Sequence, residues 1–274
     1  MRVVRSRAEF VGPREALTGP VGLVPTMGAL HDGHLALIEQ ARAFSESLIV
    51  TIFVNPMQFG PTEDLAVYPR TLEADLAMCE KAGVDLVWAP AVEDIYPGGP
   101  AQVAVDPGPL GSELEGAFRP AHFAGVLTVV AKFLGLIRPA MAFFGEKDYQ
   151  QLALITRMAG DLELGVGIAG VPTVREADGL ALSSRNVFLS AADRQSALAL
   201  SKALFAGQAA APGGPTAVLD AARAVLDGSP GVHVDYLELR GADLGPVPAR
   251  GAARLLIAAK VGRTRLIDNV AVTL

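Results

Sequence analysis

Two histidines three residues apart, His31 and His34, stand with Asp32 and Gly33 where an apolar run gives way to helical spacing. Residues 21–38 read VGLVPTMGALHDGHLALI and divide into three pieces. Residues 21–24 are a short apolar run of the kind that makes a buried strand. Residues 25–30 are a turn punctuated by Pro25 and Gly28. From about Asp32 an apolar helix begins, with Leu35, Ile38 and Ala41 on one face. Asp32 is its expected N-cap, because a carboxylate there accepts from the amides of the first turn. The chemistry this favours is anion binding. A helix start offers unpaired N–H groups and a partial positive charge. Glycine at 28 and 33 lets a phosphate approach the backbone. Two imidazoles add directed donors and can carry a proton when an anion is bound. A metal pair is the alternative for the histidines, but no third ligand lies near them in sequence.

Three further groups bear chemistry. Residues 53–59, FVNPMQF, place the amide of Gln58 just past an apolar run. Residues 143–151, FFGEKDYQQ, place Lys147 and several amides at another such junction. Residues 178–186, DGLALSSRN, put two hydroxyls and Arg185 in a loop. All three can converge on one crevice, cations toward phosphates and amides toward a polar organic substrate. Taken alone, Lys147 reads as a solvated helix start paired with Glu146 or Asp148, and Gln58 and Gln151 as surface amides. Arg119 and His122 flank Pro120, with structural and substrate roles both open.

The elements that must position these residues are legible from pattern. A β-branched strand at 48–54 follows the first helix, so 21–54 is a βαβ unit and implies a parallel sheet. The polar loop 55–70 comes after a strand's carboxyl end, where open α/β sheets bind ligands. A helix at 71–83 and a strand at 84–88 follow. The Gly- and Pro-broken region 96–111 has room for one short strand at 102–105. A helix at 122–138, a strand at 140–144, a helix to about 160 and a strand at 165–169 complete a doubly wound, Rossmann-like domain, taken as 1–174. The remainder, 175–274, reads as a smaller C-terminal α+β domain with helices at 191–211 and 216–226 and strands at 232–239, 254–261 and 265–272. The polar segment 175–186 sits at the junction, so the smaller domain is expected to act as a lid that keeps water from a reactive intermediate.

Composition bounds the function. The chain has 274 residues, 51% of them hydrophobic and 19% charged, enough for two domains with sizeable cores. A net charge of -6 argues against bulk nucleic-acid binding, which needs a basic face. A single cysteine excludes an internal disulfide framework. Cys79 shares helical spacing with Leu72 and Leu76 and reads as core. The N-terminal arginines precede no apolar segment, and the run 123–137 is short for a membrane span and contains Lys132. A cytoplasmic protein with no membrane partner is expected.

Together, the His31-Asp32-Gly33-His34 element, PTMGALH from Pro25, FVNPMQF from Phe53, YPRT from Tyr68, GEKDYQQ from Gly145 and LSSRN from Leu182 resemble, in order, the pantothenate synthetase family of the HxGH nucleotidyltransferase superfamily. The resemblance spans about 21–189. It implies an ATP-dependent ligase of coenzyme A biosynthesis that condenses pantoate with β-alanine through a pantoyl adenylate, releasing AMP and pyrophosphate. It implies that His31, His34, Lys147 and Arg185 are catalytic, His34 as proton donor. It assigns Met27, Gly28, Ala29, Leu30, Asp32, Gly33, Gly145, Glu146, Asp148, Val174, Leu182, Ser183 and Ser184, with those four, to ATP. It assigns Gln58 and Gln151 to pantoate, with Gln58 also near β-alanine. Mg²⁺ is implied with ATP, held mainly by phosphates and water. Where the family often carries two adjacent aspartates after YPRT, Ala74 and Asp75 stand here, leaving Asp75 as the protein's one carboxylate for the metal. A homodimer is also implied. Two rival functions remain at this level: an adenylyltransferase that keeps the nucleotide on its product, and a nucleotide-binding regulatory module without turnover.

Overall fold

The structure, a computed structural model, describes residues 1–61 and 64–274, so residues 62–63 of the expected loop 55–70 lie outside the described residues. By contacts the chain forms two compact units, Met1–Gly145 with Leu154–Val171, and Glu146–Ala153 with Pro172–Leu274.

The first unit is built in chain order from β1 (Arg2–Val4), α1 (Arg7–Glu15), β2 (Val21–Thr26), α2 (Asp32–Phe44), β3 (Ser47–Ile52), α3 (Leu72–Lys81) and β4 (Leu86–Trp88). It continues through the short α4 (Val92–Ile95) and α5 (Glu115–Phe118), then α6 (His122–Ile137), β5 (Met141–Gly145), the part of α7 (Tyr149–Asp161) from Leu154 on, and β6 (Gly167–Val171). Its six strands pair in parallel in the order β1-β4-β3-β2-β5-β6. Strand order reverses between β2 and β5, and ligands of doubly wound sheets bind beyond the carboxyl ends at such a switch point. The residues after β2 therefore occupy the position where this architecture does chemistry.

Both sheet faces are covered, which explains the nearly continuous apolar strands. One face packs Val24, Leu48, Val50 and Val87 against Ile38 and Ala41 of α2 and Cys79 of α3. The other carries an aromatic row. Phe10 stacks on Trp88 at 4.3 Å between ring centroids, Trp88 meets Phe133 at 5.7 Å, and Phe133 meets Phe53 edge-on at 6.1 Å. This row seats α6 beside the carboxyl end of β3.

The second unit contains α8 (Ala191–Ala209), α9 (Gly214–Asp227) and an antiparallel sheet of β7 (Val232–Gly241), β8 (Ala252–Val261) and β9 (Thr264–Thr273), in that order. Leu200, Leu204, Val218 and Ala222 of the helices form a core with Leu255, Ile257, Val261 and Val270 of the sheet. The doubly wound sheet with a smaller α+β part is the architecture expected from the sequence.

Two local expectations are corrected, and one element is added. Residues 102–105 are not a strand: Val103 is 86% exposed and the segment has no ladder partner among the described residues. The N-terminus, to which no element was assigned, supplies the edge strand β1, whose three residues pair with β4. The N-cap of α2 is His31, and Asp32 is the first helical residue. No helix among the described residues is long and apolar enough to cross a membrane.

Candidate active site

The turn after β2 is held by two polar anchors. Thr26 donates its hydroxyl to the Thr51 carbonyl at 2.8 Å and accepts the Gly28 amide at 3.2 Å. Asp75, 2% exposed, accepts the Ala29 amide at 3.0 Å, the Leu30 amide at 2.9 Å and the Thr71 hydroxyl at 3.0 Å. The turn runs through left-handed backbone at Gly28 (φ +79°) and Ala29 (φ +50°). A side chain at 28 would start 2.9 Å from the Asp75 carboxylate, so the position demands glycine on both counts. For Ala29 the strained conformation is offset by its bond to Asp75.

The helix start closes on itself. His31 accepts the Gly33 amide on Nδ1 at 3.1 Å, and His34 accepts the His31 amide on Nδ1 at 3.3 Å. The His31 carbonyl takes the His34 and Leu35 amides at 2.7 and 3.1 Å. The expectation of open amides is thus corrected: the Gly28 to His31, Gly33 and His34 amides all donate within the protein. Backbone amides only donate, so both Nδ1 atoms are acceptors and each neutral ring carries its proton on Nε2. The site presents side-chain donors where a bare helix start would present backbone.

Gln58 lies in the 3₁₀ turn Pro56–Gln58 past β3, and the turn is tied from several sides. Asn55 donates to the Gln58 Oε1 and to the Gly125 carbonyl, both at 3.1 Å. Gln58 directs Nε2 at the Met27 sulfur, 3.0 Å away. His122 Nδ1 meets the Gln58 carbonyl at 2.8 Å, and Arg119 donates to the His122 Nε2 at 3.0 Å. A carbonyl accepts and a guanidinium donates, so His122 carries its proton on Nδ1, the opposite tautomer to His31 and His34. Arg119 and His122, left open above, hold the backbone that carries Gln58. Gly125 of α6 lets helix and turn meet: a Cβ there would fall 2.2 Å from the Met57 carbonyl oxygen.

In the second unit, Lys147 belongs to the 3₁₀ turn Glu146–Asp148. Asn269 on β9 fixes that turn by donating to the Glu146 and Lys147 carbonyls, both at 2.9 Å. Arg254 on β8 lies 3.7 Å over the Tyr149 ring and bonds Glu146 at 3.3 Å and Asn269 at 3.0 Å. Lys147 sits 3.8 Å from Asp148, a loose pair. Gln151 follows on α7, half-buried. Ser183 caps the 3₁₀ turn Ser184–Phe188 by accepting the Arg185 amide at 3.3 Å. The Val174 carbonyl takes the Leu182 amide at 3.0 Å, and Asn186 bonds Glu176 and the Ala181 carbonyl at 3.1 Å. Arg194 ties this loop through Glu176 and Asp178, holding the Asp178 carboxyl below its ordinary value.

The first unit therefore brings together Met27, Gly28, His31, His34, Gln58 and Asp75 around the ends of β2 and β3. The second gathers Lys147 and Asp148 on one turn and Val174, Leu182, Ser183, Ser184 and Arg185 on one loop. Asn55, Tyr96, Asn269 and Arg254 were not singled out from sequence. Asn55 alone had a signal there, as an Asn-Pro turn start three residues before Gln58.

The pantoate-beta-alanine ligase family model matches residues 2–271. A pantothenate synthetase from Nocardia farcinica is 64% identical over 254 residues, 93% of this chain and 80% of that one. The crystal structure of pantothenate synthetase from Thermus thermophilus superposes with a TM-score of 0.92 at 48% identity, covering 98% of this chain and 99% of the other. That of the pantoate-beta-alanine ligase from Francisella tularensis, complexed with beta-gamma ATP and beta-alanine, gives 0.83 at 33% identity over 98% and 97%. With the match running nearly end to end in sequence and in fold, the chain belongs to the pantoate–β-alanine ligase family, enzymes that join pantoate to β-alanine.

Proposed function

We propose that this enzyme joins its substrates in two steps through a pantoyl adenylate. A pantoate carboxylate oxygen attacks the α-phosphorus of ATP, the bond from that phosphorus to the bridging oxygen breaks, and pyrophosphate leaves. The β-alanine amine then attacks the acyl carbon, the carbon–oxygen bond to AMP breaks, AMP leaves, and the amine sheds its proton as the amide forms. A relative, the Francisella tularensis enzyme, is complexed with beta-gamma ATP and beta-alanine, which supports these ligands here. Such transfer needs positioning and charge neutralisation more than covalent help.

The observation that carries this reading is the pair of backbone bonds onto the Nδ1 atoms of His31 and His34. They leave the proton of each neutral ring on Nε2, which makes that nitrogen the donor for phosphate oxygens. Lys147 balances charge on the α-phosphate and the leaving pyrophosphate, while Ser183, Ser184 and Arg185 hold the outer phosphates. Gly145, Glu146, Asp148, Val174 and Leu182 are assigned to ATP as well, as is the turn from Met27 to Gly33. Gln58 and Gln151 bind pantoate, since an amide can both donate to carboxylate and accept from hydroxyl.

Mg²⁺ accompanies ATP in this proposal and supplies charge neutralisation to the phosphates. No cluster of three or more metal-ligating side chains occurs among the described residues. The Asp75 oxygens already accept three hydrogen bonds. That donor set fits an ion held by phosphates and water rather than by a protein cage. We further assign residues 175–274 the role of a lid, the enzyme to the cytoplasm and its assembly to a homodimer. ATP with pantoate should slow amide exchange across 175–186, and light scattering should return twice the chain mass. Pantoate labelled with ¹⁸O in its carboxylate tests the central step: one label must appear in AMP. Unlabelled AMP formed alongside pantothenate would exclude the adenylate.

A further inference from the structure

We propose that Tyr96 is a positioning residue for the pantoate subsite: its hydroxyl locks Asn55, and Asn55 in turn makes Gln58 present an N–H donor to the substrate. This rests on the assignment of Gln58 to pantoate. Asn55, Tyr96 and Gln58 are 1%, 4% and 9% exposed, so bulk water cannot reorient them easily.

The polarity of the chain of bonds follows from its fixed ends. The Gly125 carbonyl can only accept, so the Asn55 atom facing it at 3.1 Å is Nδ2. The Met57 amide can only donate, so the atom it meets at 3.3 Å is Oδ1. The Tyr96 hydroxyl lies 2.9 Å from that oxygen and must donate to it. Both donors and both lone pairs of the Asn55 amide are then used, with its second N–H given to the Gln58 Oε1 at 3.1 Å. Gln58 is left with Nε2 facing the weakly accepting Met27 sulfur at 3.0 Å. A substrate carboxylate or carbonyl oxygen is a better acceptor and would displace that contact. The subsite therefore offers an acceptor oxygen the Gln58 Nε2, in a fixed direction, while Oε1 stays turned to Asn55.

Tyr96 is suited to this task. Burial pushes its hydroxyl up to about 12, so it stays a donor throughout the neutral range. Its ring is held by Phe53, 6.3 Å between centroids, and lies under the Lys132 ammonium at 5.6 Å. Of the two bonds onto the Asn55 Oδ1, the Tyr96 one is the shorter, so its loss leaves only the longer Met57 bond on that atom.

The test is Tyr96→Phe, which keeps the ring and its neighbours, in both the native and the Gln58→Ala backgrounds. In the native background kcat/KM for pantoate should fall about five- to tenfold, the equivalent of one lost hydrogen bond, with the KM for ATP unchanged. In the Gln58→Ala background the same change should have no further effect on pantoate. Equal losses in both backgrounds, or a parallel rise in the KM for ATP, would overturn the relay. If Gln58→Ala leaves pantoate kinetics intact, the Gln58 assignment fails instead. The side-chain amide resonances of Asn55 and Gln58 then decide the relay independently: they must shift in ligand-free Tyr96→Phe, and unchanged resonances would refute it.

Discussion

His31 and His34 each accept a backbone amide on Nδ1, and their rings lie 4.2 Å apart, tilted by 47°. The same two residues thus cap the helix and aim its donors, and the two roles can be separated by substitution. In His34→Asn the amide oxygen replaces Nδ1 while nothing replaces Nε2. Unfolding free energy should stay within about 0.5 kcal/mol of the native value. Turnover should drop by about 10²-fold or more. In His34→Ala both the ring donor and the bond onto the His31 amide are lost. Stability should then fall by about 1 kcal/mol, with a loss of rate like that of His34→Asn. Chemical denaturation and steady-state kinetics on the two variants check this; a native rate in His34→Asn would show that the cap, not the ring donor, matters.

Asp75 acts at a distance of 46 residues on the Ala29 amide. Removing the carboxylate in Asp75→Ala strands two amides and the Thr71 hydroxyl and releases the strained Ala29. The expected cost is about 3 kcal/mol of stability, with a raised KM for ATP. The Mg²⁺ concentration for half-maximal rate should not change, measured on the milder Asp75→Asn. A large shift in that concentration would make Asp75 a metal ligand.

Gly125→Ala tests the close approach of α6 to the turn carrying Gln58. The added methyl must push Met57 and Gln58 away, since it would lie 2.2 Å from a carbonyl oxygen. Overpacking of this kind costs about 1–3 kcal/mol. The KM for pantoate should rise well beyond that for ATP, readable in initial rates with each substrate varied.

Alkaline stability follows from two buried acids. Burial raises Cys79 from 9.0 to about 12 and Tyr96 from 10.0 to about 12. Both are raised in the folded state, so their contribution is complete below pH 9.0 and lost as pH climbs toward about 12. Once Cys79 ionises in the unfolded chain, each pH unit costs the fold about 1.4 kcal/mol. Urea unfolding of the native protein at pH 8.5 and pH 10 should show that decline, and Cys79→Ala should show little of it. The same slope in both proteins would mean that Cys79 is not its source.

What the sequence revealed depended on how local the signal was. The β-branched runs of β2 and β3, joined through one helix, announce a parallel sheet, and the observed order confirms it. Strand β1 escapes because three residues show no period, and its partner β4 lies far along the chain. The run 102–105 alternates like a strand but has no neighbour to pair with among the described residues. At the helix start a histidine caps where an aspartate was expected, because the imidazole Nδ1 reaches the Gly33 amide. The residues to which we assign chemistry sit in short local signatures and are legible. Those holding them in place are not: Tyr96 lies 41 residues from Asn55, and Asn269 lies 122 from Lys147. Such pairings exist only once the chain is folded.

The most direct measurement is AMP formation from ATP and pantoate, with and without β-alanine, in the native enzyme and in Lys147→Ala. The account predicts AMP release coupled one-to-one to amide formation and dependent on β-alanine, falling by about 10²-fold or more in the variant. A stable adenylylated product, or ATP binding with no pantoate-dependent turnover, would contradict it.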